Sequence, residues 1–382
     1  MNTPSRMSSP PITSTRNAGF DVLRGHMTVL VLFHHAAITY GAIGGWYYQE
    51  VKPAASLQGT LLVLFCTTNQ AYFMGLFFLI AGYFTPSAIA RKGSERYLVD
   101  RVLRLGLPLL FFGWILGPVT IALAATSRGQ PFVATLAQLW QRHTFENGPL
   151  WFAQALLIFA VVAVACAKAL AALNNRNTAL ADASRPWPSN GMLALAAAST
   201  GAAAVALRHF WPVGVNVWGL QLGYFASYVA LFTFGFMAAG PRWLERIPTS
   251  HARLWKRVAI FVFPLLPAAY FVSKAVPLLA GRPLDVIYAF WEPLVAWGVI
   301  LALLQRFANG SRTFDRLRQR LGRRAYVMYV IHPPVLVAIA LAWREVHAPQ
   351  LAKFALTGSM TCIVCYLLAG FIVRLPGVRR IV

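Results

Sequence analysis

The chain has 382 residues, of which 58% are hydrophobic and only 12% are charged, and its formal net charge is +23. Soluble domains average about 45–50% apolar and about 25% charged residues. The composition therefore excludes an ordinary soluble enzyme and favours a polytopic membrane protein. The positive charge is not taken as a sign of nucleic-acid binding, because its distribution along the chain follows membrane topology.

The two ends of the chain differ in composition from the apolar segments between them. Residues 1–18 are rich in Ser, Thr and Pro, which predicts a disordered cytoplasmic tail. The first apolar run contains Asp21 and Arg24 and lacks a clear cleavage site, so we interpret it as a retained span and not a signal peptide. Residues 19–374 are predicted to form one membrane-embedded unit, followed by a basic cytoplasmic tail at residues 375–382.

Apolar runs of about 16–28 residues recur along the chain and predict an all-α protein with about ten transmembrane helices. The fifth and seventh runs are the shortest. The predicted spans are approximately residues 20–42, 57–84, 105–126, 150–173, 192–207, 218–240, 258–273, 284–307, 325–343 and 354–373.

The basic residues support this number of spans. With the amino terminus inside, most of the 34 lysine and arginine residues fall in the cytoplasmic segments, and this bias alternates at every crossing. Both termini are therefore predicted to be cytoplasmic. The transmembrane helices are predicted to contact the lipid bilayer. The longest outer loop, residues 127–149, is too short to be an independent enzyme domain, so any chemistry must occur within the membrane or at its faces.

The first span carries an unusual set of polar residues. Arg24 and His35 are eleven residues apart, which is close to three helical turns, so they share one face, roughly 16 Å apart along the axis. His34 points about 80° away from Arg24. This pattern suits a ligand that enters from the cytosol with an anionic head at Arg24 and a reactive end at His35. The alternative is a set of cavity-facing polar groups without chemistry, with Arg24 extending to the inner interface.

A pair of arginines lies at the start of the third span. Arg101 and Arg104 are three residues apart, which in an α-helix places them on one face at the cytoplasmic boundary. Arginine forks bind phosphates well, and Arg24 is predicted to lie on the same side. The alternative is simple positive-inside anchoring.

Several stretches resemble those of the integral-membrane acyltransferase 3 family, in the same order along the chain. "FDVLRGHMTVLVLFHH" is similar to the family's arginine, ten residues, histidine pattern, "GLFFLIAGYF" to its aromatic–glycine element, and "RVLRLGLP" to its R-x-x-R element. "GPLWFAQALLIF" and "AYVMYVIHPPVLV" resemble its fourth-span and late-span motifs. The chain most resembles compact glucan succinyltransferase and O-acetyltransferase members, although Ala81 stands where a serine is usual.

The resemblance implies acyl transfer from cytosolic acyl-CoA, either acetyl-CoA or succinyl-CoA, to a hydroxyl of an extracytoplasmic glycan or glycoside. It implies that His35 is the catalytic residue and that Arg24, Arg101 and Arg104 hold the coenzyme A phosphates. It also implies a bacterial inner-membrane location. A neutral imidazole in a dry site is a suitable general base, and a transient acyl-histidine is the rival mechanism.

Four further residues are candidates for acceptor binding. His332 precedes two prolines, so it either lines the cavity or satisfies backbone carbonyls that the prolines leave free. Glu292 is an intramembrane carboxylate that could orient an imidazole or bind acceptor hydroxyls. Glu146 at the outer face could contact a sugar or simply be solvated, and Trp151 could stack on a sugar ring or belong to the interfacial belt.

Other functions remain open at this point. The main rival is a transporter of an organic anion or protons, with Arg24 and His35 along its path. A structural partner in a glycan-assembly complex is a third possibility. No metal site is expected, because no metal-ligand motif is present. The sequence decides neither the acyl group, nor the acceptor, nor the oligomeric state.

Overall fold

The computed structural model describes residues 18–53, 56–174, 185–276, 278, 281–307 and 316–378. The predicted N-terminal tail thus lies outside the described residues except for residue 18, and residues 379–382 also lie outside them. The helices are α1 Ala18–Thr39, α2 Leu57–Lys92, α3 Ser94–Arg101, α4 Leu107–Phe111, α5 Gly117–Thr126, α6 Phe132–Gln141, α7 Trp151–Asn174, α8 Asn190–Phe210, α9 Phe225–Ala238, α10 Thr249–Val262, α11 Leu265–Ala275, α12 Arg282–Phe307, α13 Arg316–Ala342 and α14 Gln350–Ile372.

The all-α polytopic membrane fold predicted from the sequence is confirmed. Within the described part of the chain, eight helical segments are long and apolar enough to cross a membrane. These segments are Leu57–Lys92, Ser94–Thr126, Gly148–Ala169, Asn190–Phe210, Thr249–Ala275, Arg282–Phe307, Arg316–Ala342 and Gln350–Ile372.

The first and sixth predicted spans also form helices but differ from those eight. α1 has 22 residues, which is enough to cross about 30 Å of hydrocarbon, although its arginine and three histidines lower its mean hydropathy. The apolar helix at Leu222–Ala238 is shorter than the other spans. Both helices pack within the bundle, where their polar groups and backbone contact protein.

The third and seventh predicted spans are not single regular α-helices. π-helical turns at Val102–Gly106 and Phe112–Leu116 interrupt the third. In the seventh, α10 ends at Val262 and α11 begins after Pro264, which has no backbone N–H to donate. The first π turn contains Arg104, and such turns are frequent at functional sites.

The helix that carries His35 lies inside the bundle. α1 packs against α2, α12, α13 and α14. Small residues allow the closest crossings: a Cβ atom on Gly25 would lie 3.0 Å from the backbone nitrogen of Gly322 in α13. At the crossing of α2 and α9, a Cβ on Gly82 would lie 2.1 Å from the carbonyl oxygen of Phe232. The glycine of the aromatic–glycine element is therefore a helix-packing residue.

Candidate active site

A cavity of about 980 Å³ opens at the end of the bundle that is predicted to be extracytoplasmic. Its rim consists of the loop after α1, the segment before α7, residues 213–221 and the start of α12. His35 lies in its wall, and Val31, one turn earlier on α1, also lines it. The imidazole of His35 can therefore be reached from the outer side of the bundle.

His35 forms a hydrogen bond with a second histidine from the other end of the chain. His35 Nδ1 lies 2.9 Å from His332 Nε2. The two rings are almost parallel, with an angle of 2° between their planes and 5.0 Å between their centroids. This arrangement is an in-plane hydrogen bond between two imidazoles, one on α1 and one on α13.

The prolines after His332 determine which nitrogens carry protons. Pro333 lacks an N–H, so the carbonyl of Tyr329, four residues earlier, has no normal helical donor. His332 Nδ1 lies 2.6 Å from that carbonyl oxygen, which only accepts, so Nδ1 carries the proton and Nε2 has a free lone pair. His35 Nδ1 must then donate to His332 Nε2, which leaves Nε2 of a neutral His35 unprotonated and able to accept a proton.

A tryptophan covers this pair of histidines. The Trp46 ring, in the loop after α1, lies 4.0 Å from the ring of His35 with an interplanar angle of 9°. Its centroid is 5.9 Å from that of His332, again at 9°. Trp46 also lines the cavity. One indole therefore lies over both imidazoles.

His332 is fully buried, with 0% of its surface exposed, and it does not line the described cavity. The prediction that it binds the acceptor is therefore not supported by its position. Its contact with the Tyr329 carbonyl matches the other interpretation, in which it satisfies a carbonyl that a proline leaves free. It lies behind His35 and orients that ring.

The three arginines lie on α1 and at the start of the third span, away from the cavity. Arg24 pairs with Asp21 at 3.4 Å, and its guanidinium lies 5.3 Å from the ring of Phe84. Arg104 is exposed and its carbonyl accepts a hydrogen bond from Tyr326 of α13 at 2.9 Å. Neither these two arginines nor Arg101 line the described cavity.

Arg101 and Arg104 do not lie on one continuous α-helix, contrary to the prediction. α3 ends at Arg101 and a π-helical turn begins at Val102. The three-residue spacing aligns side chains in α-helical geometry, and the wider i→i+5 turn changes that alignment. The two guanidiniums share one end of the bundle, but the α-helical reason for placing them on one face does not hold.

Comparison with known proteins identifies the family. The model of the acyltransferase 3 family, described as an acyltransferase domain, matches residues 17–370. The chain belongs to the acyltransferase 3 family. No curated protein and no solved structure matches it. The resemblance in the sequence motifs is therefore confirmed, and the protein is a multi-pass membrane acyltransferase.

Two of the predicted acceptor-binding residues line the cavity of this acyltransferase, namely Glu146 and Trp151. Glu146 Oε1 accepts hydrogen bonds from the Tyr47 hydroxyl at 3.2 Å and from the Gly148 backbone N–H at 2.9 Å. Burial, followed by the nearby Glu146 carboxylate, raises the pKa of Tyr47 well above its ordinary value. Tyr47 is therefore a neutral hydroxyl at pH 7. Trp151 stacks on Tyr228, with centroids 5.6 Å apart.

Glu292 has a different environment from the one predicted. It is only 1% exposed, forms an ion pair with Arg208 of α8, and accepts a hydrogen bond from Ser227 of α9 at 3.2 Å. It does not line the described cavity. This carboxylate holds three membrane helices together, and its position supports neither acceptor binding nor orientation of an imidazole.

Trp46, Tyr47 and Tyr329 contact the histidine pair or line the cavity but are not among the residues predicted from the sequence. Trp46 and Tyr47 lie in a loop, where no periodicity indicates a side chain's neighbours. Tyr329 could have been found, because the position four residues before a proline in a helix has a carbonyl without its normal donor.

Proposed function

We propose that the acyltransferase moves an acetyl or succinyl group from cytosolic acyl-CoA to a hydroxyl of an extracytoplasmic glycan or glycoside, with His35 as the general base. A bacterial inner-membrane location is part of this proposal. The observation that carries it is the His35–His332 hydrogen bond at the wall of an outward-opening cavity. That bond leaves the lone pair of His35 Nε2 available for the acceptor's proton.

The proposed reaction needs only one proton carrier. His35 Nε2 takes the proton from the acceptor hydroxyl while the hydroxyl oxygen forms a bond to the carbonyl carbon of the thioester. The carbon–sulfur bond then breaks, and the thiolate of coenzyme A leaves and takes the proton back from His35. Throughout the reaction, the Nδ1–H of His35 continues to donate its hydrogen bond to His332 Nε2, so the ring keeps one orientation. An acyl-histidine route would use the same Nε2 atom as nucleophile.

On the donor side, we propose that Arg24, Arg101 and Arg104 bind the phosphates of coenzyme A. All three lie at the predicted cytoplasmic end, and arginine is well suited to phosphate. Met27 and Thr28 lie between Arg24 and the cavity on α1 and are buried. Binding of the donor therefore requires the helices around this part of α1 to separate enough for the pantetheine arm.

On the acceptor side, the cavity walls support binding of a sugar. The indole of Trp151 and the ring of Tyr228 provide flat apolar surfaces, while Glu146 and the Tyr47 hydroxyl provide hydrogen-bonding groups. Binding sites for small polar molecules commonly combine apolar walls with a few placed polar groups. The cavity residues do not distinguish acetyl from succinyl donors.

Sided membrane vesicles test the proposal. Inverted vesicles expose the cytoplasmic face, so added acyl-CoA that carries label in its acyl group should give labelled glycan and free coenzyme A. Right-side-out vesicles given the same external acyl-CoA should give no labelled product. Movement of label across the membrane without a covalent product would contradict the proposal and favour the transporter. Transfer from acyl-CoA on the outer face would contradict the cytosolic donor site.

A further inference from the structure

The indole that covers His35 and His332 is held in place by its neighbours in the loop. Beside it, the Tyr47 hydroxyl donates to Glu146 at 3.2 Å. Further along, the Glu50 backbone N–H donates to the Thr39 carbonyl at 2.9 Å, and the Glu50 carboxylate pairs with Lys353. Lys353 is only 4% exposed. The loop is therefore fixed at Tyr47 and Glu50, just after Trp46, and the Trp46 ring lies against the imidazoles.

The ring of Trp46 contributes no hydrogen bond to this arrangement. Its Nε1 is buried and has no hydrogen-bond partner among the described residues. A phenylalanine would fill apolar space without burying an unpaired N–H, which is unfavourable. The property that distinguishes tryptophan here is its π face, which attracts cations more strongly than those of tyrosine and phenylalanine.

The reaction proposed above creates a cation directly under this face. When His35 Nε2 takes the proton of the acceptor hydroxyl, the ring becomes an imidazolium until the thiolate removes that proton. No described carboxylate is hydrogen-bonded to His35 or His332. The partner of His35 is a neutral imidazole, and the partner of His332 is a backbone carbonyl, so neither carries a compensating negative charge.

The titratable groups that interact electrostatically with the His35 ring are two imidazoles, those of His332 and His34. His34 of α1 lies edge-on with centroids 5.7 Å apart, and Tyr329 of α13 is 5.8 Å from His332. From the segment before α7, Glu146 is engaged by Tyr47 and Gly148. The stacked indole is thus the group best placed to stabilise the positive charge.

We propose that Trp46 is a positioning residue that stabilises the imidazolium form of His35 through its π face. This inference rests on the proposed function, because the imidazolium is an intermediate of that reaction. It implies that Trp46 lowers the barrier to proton transfer and that the protonated form of His35 persists to higher pH than it would without the indole.

Site-specific incorporation of fluorinated tryptophans at position 46 tests the proposal. Each added fluorine weakens the attraction of the π face for a cation while keeping the shape and the N–H. The maximal transfer rate should fall stepwise with fluorination, to about tenfold below wild type in Trp46→Leu. The acid limb of the pH–rate profile should move to lower pH in the same order. The matched control is Trp140, whose Nε1 donates to the Trp114 carbonyl at 3.0 Å.

Two results would overturn the proposal. One is a rate and an acid limb that do not change with fluorination at position 46. The other is a fall in rate in Trp46→Leu with all fluorinated forms at wild-type level, which would indicate packing or a role of the N–H. A merely structural role of Trp46 would lower the rate without moving the acid limb.

A second measurement separates this inference from the proposed function. Diethyl pyrocarbonate modifies neutral imidazoles, so mass spectrometry of the His35 peptide across a pH range reports its protonation without turnover. If the pH of half-modification falls with fluorination, Trp46 stabilises the imidazolium even in a protein that shows no transfer. If it stays constant, the inference fails whatever the protein catalyses.

Discussion

Replacing His35 by alanine is expected to lower acyl transfer by about 10²–10⁴-fold, the usual contribution of a general base. The variant keeps the cavity but lacks the imidazole lone pair that is proposed to take the acceptor's proton. His332 cannot substitute, because it is fully buried and its Nδ1 is engaged by the Tyr329 carbonyl. The measurement is labelled glycan formed per folded protein in inverted vesicles at saturating acyl-CoA.

His26 provides a matched control on the same helix. Its Nδ1 lies 2.8 Å from the Val22 carbonyl, its ring packs 5.3 Å from Phe307, and it does not line the described cavity. His26→Ala should therefore retain nearly full transfer. If His35→Ala kept more than about a tenth of the wild-type rate, the assignment of His35 as general base would be wrong.

Removing the carboxylate of Glu292 is expected to destabilise the protein by about 3–5 kcal/mol, because Arg208 is left as a buried, unpaired charge. Arg208 is only 9% exposed, and its guanidinium lies between the rings of Tyr224 and Tyr288, 5.6 and 4.7 Å from its carbon. Thermal unfolding of Glu292→Ala in detergent measures the loss.

The double variant Arg208→Met with Glu292→Leu is the control, because replacing a buried ion pair by apolar residues of similar volume is often neutral. It should recover most of the stability lost in Glu292→Ala. Both variants should retain the wild-type kcat per folded molecule. A Glu292→Ala protein of normal stability that has lost its activity would contradict this account and restore the acceptor-binding role suggested by the sequence.

The helices and their order follow from the sequence because membrane burial acts locally. Twenty apolar residues in hydrocarbon must form a helix to satisfy their own backbone, so the apolar runs alone predict the spans. The shared helix face of Arg24 and His35 was also a local prediction, since eleven residues of α-helix return to the same side. The two spans with the least regular geometry contain π turns or a proline break, which apolar content does not reveal.

The contacts between distant residues could not be predicted in the same way. His35 and His332 are separated by 297 positions, and no spacing rule relates two different helices. Glu292 was interpreted as functional because an intramembrane carboxylate is costly unless it has a partner. Its partner Arg208 is 84 positions away, at the end of the fifth predicted span, which is one of the two shortest.

The central claim is that His35 and His332 act as one catalytic unit, and a double-mutant cycle tests it most directly. Transfer rates would be measured for wild type, His35→Ala, His332→Leu and the double variant. His332→Leu alone should lower the rate about 10²-fold, because the His35 ring loses the acceptor that fixes its tautomer. The double variant should be no slower than His35→Ala, because His332 acts only through His35. Effects that multiply in the double variant would contradict the claim.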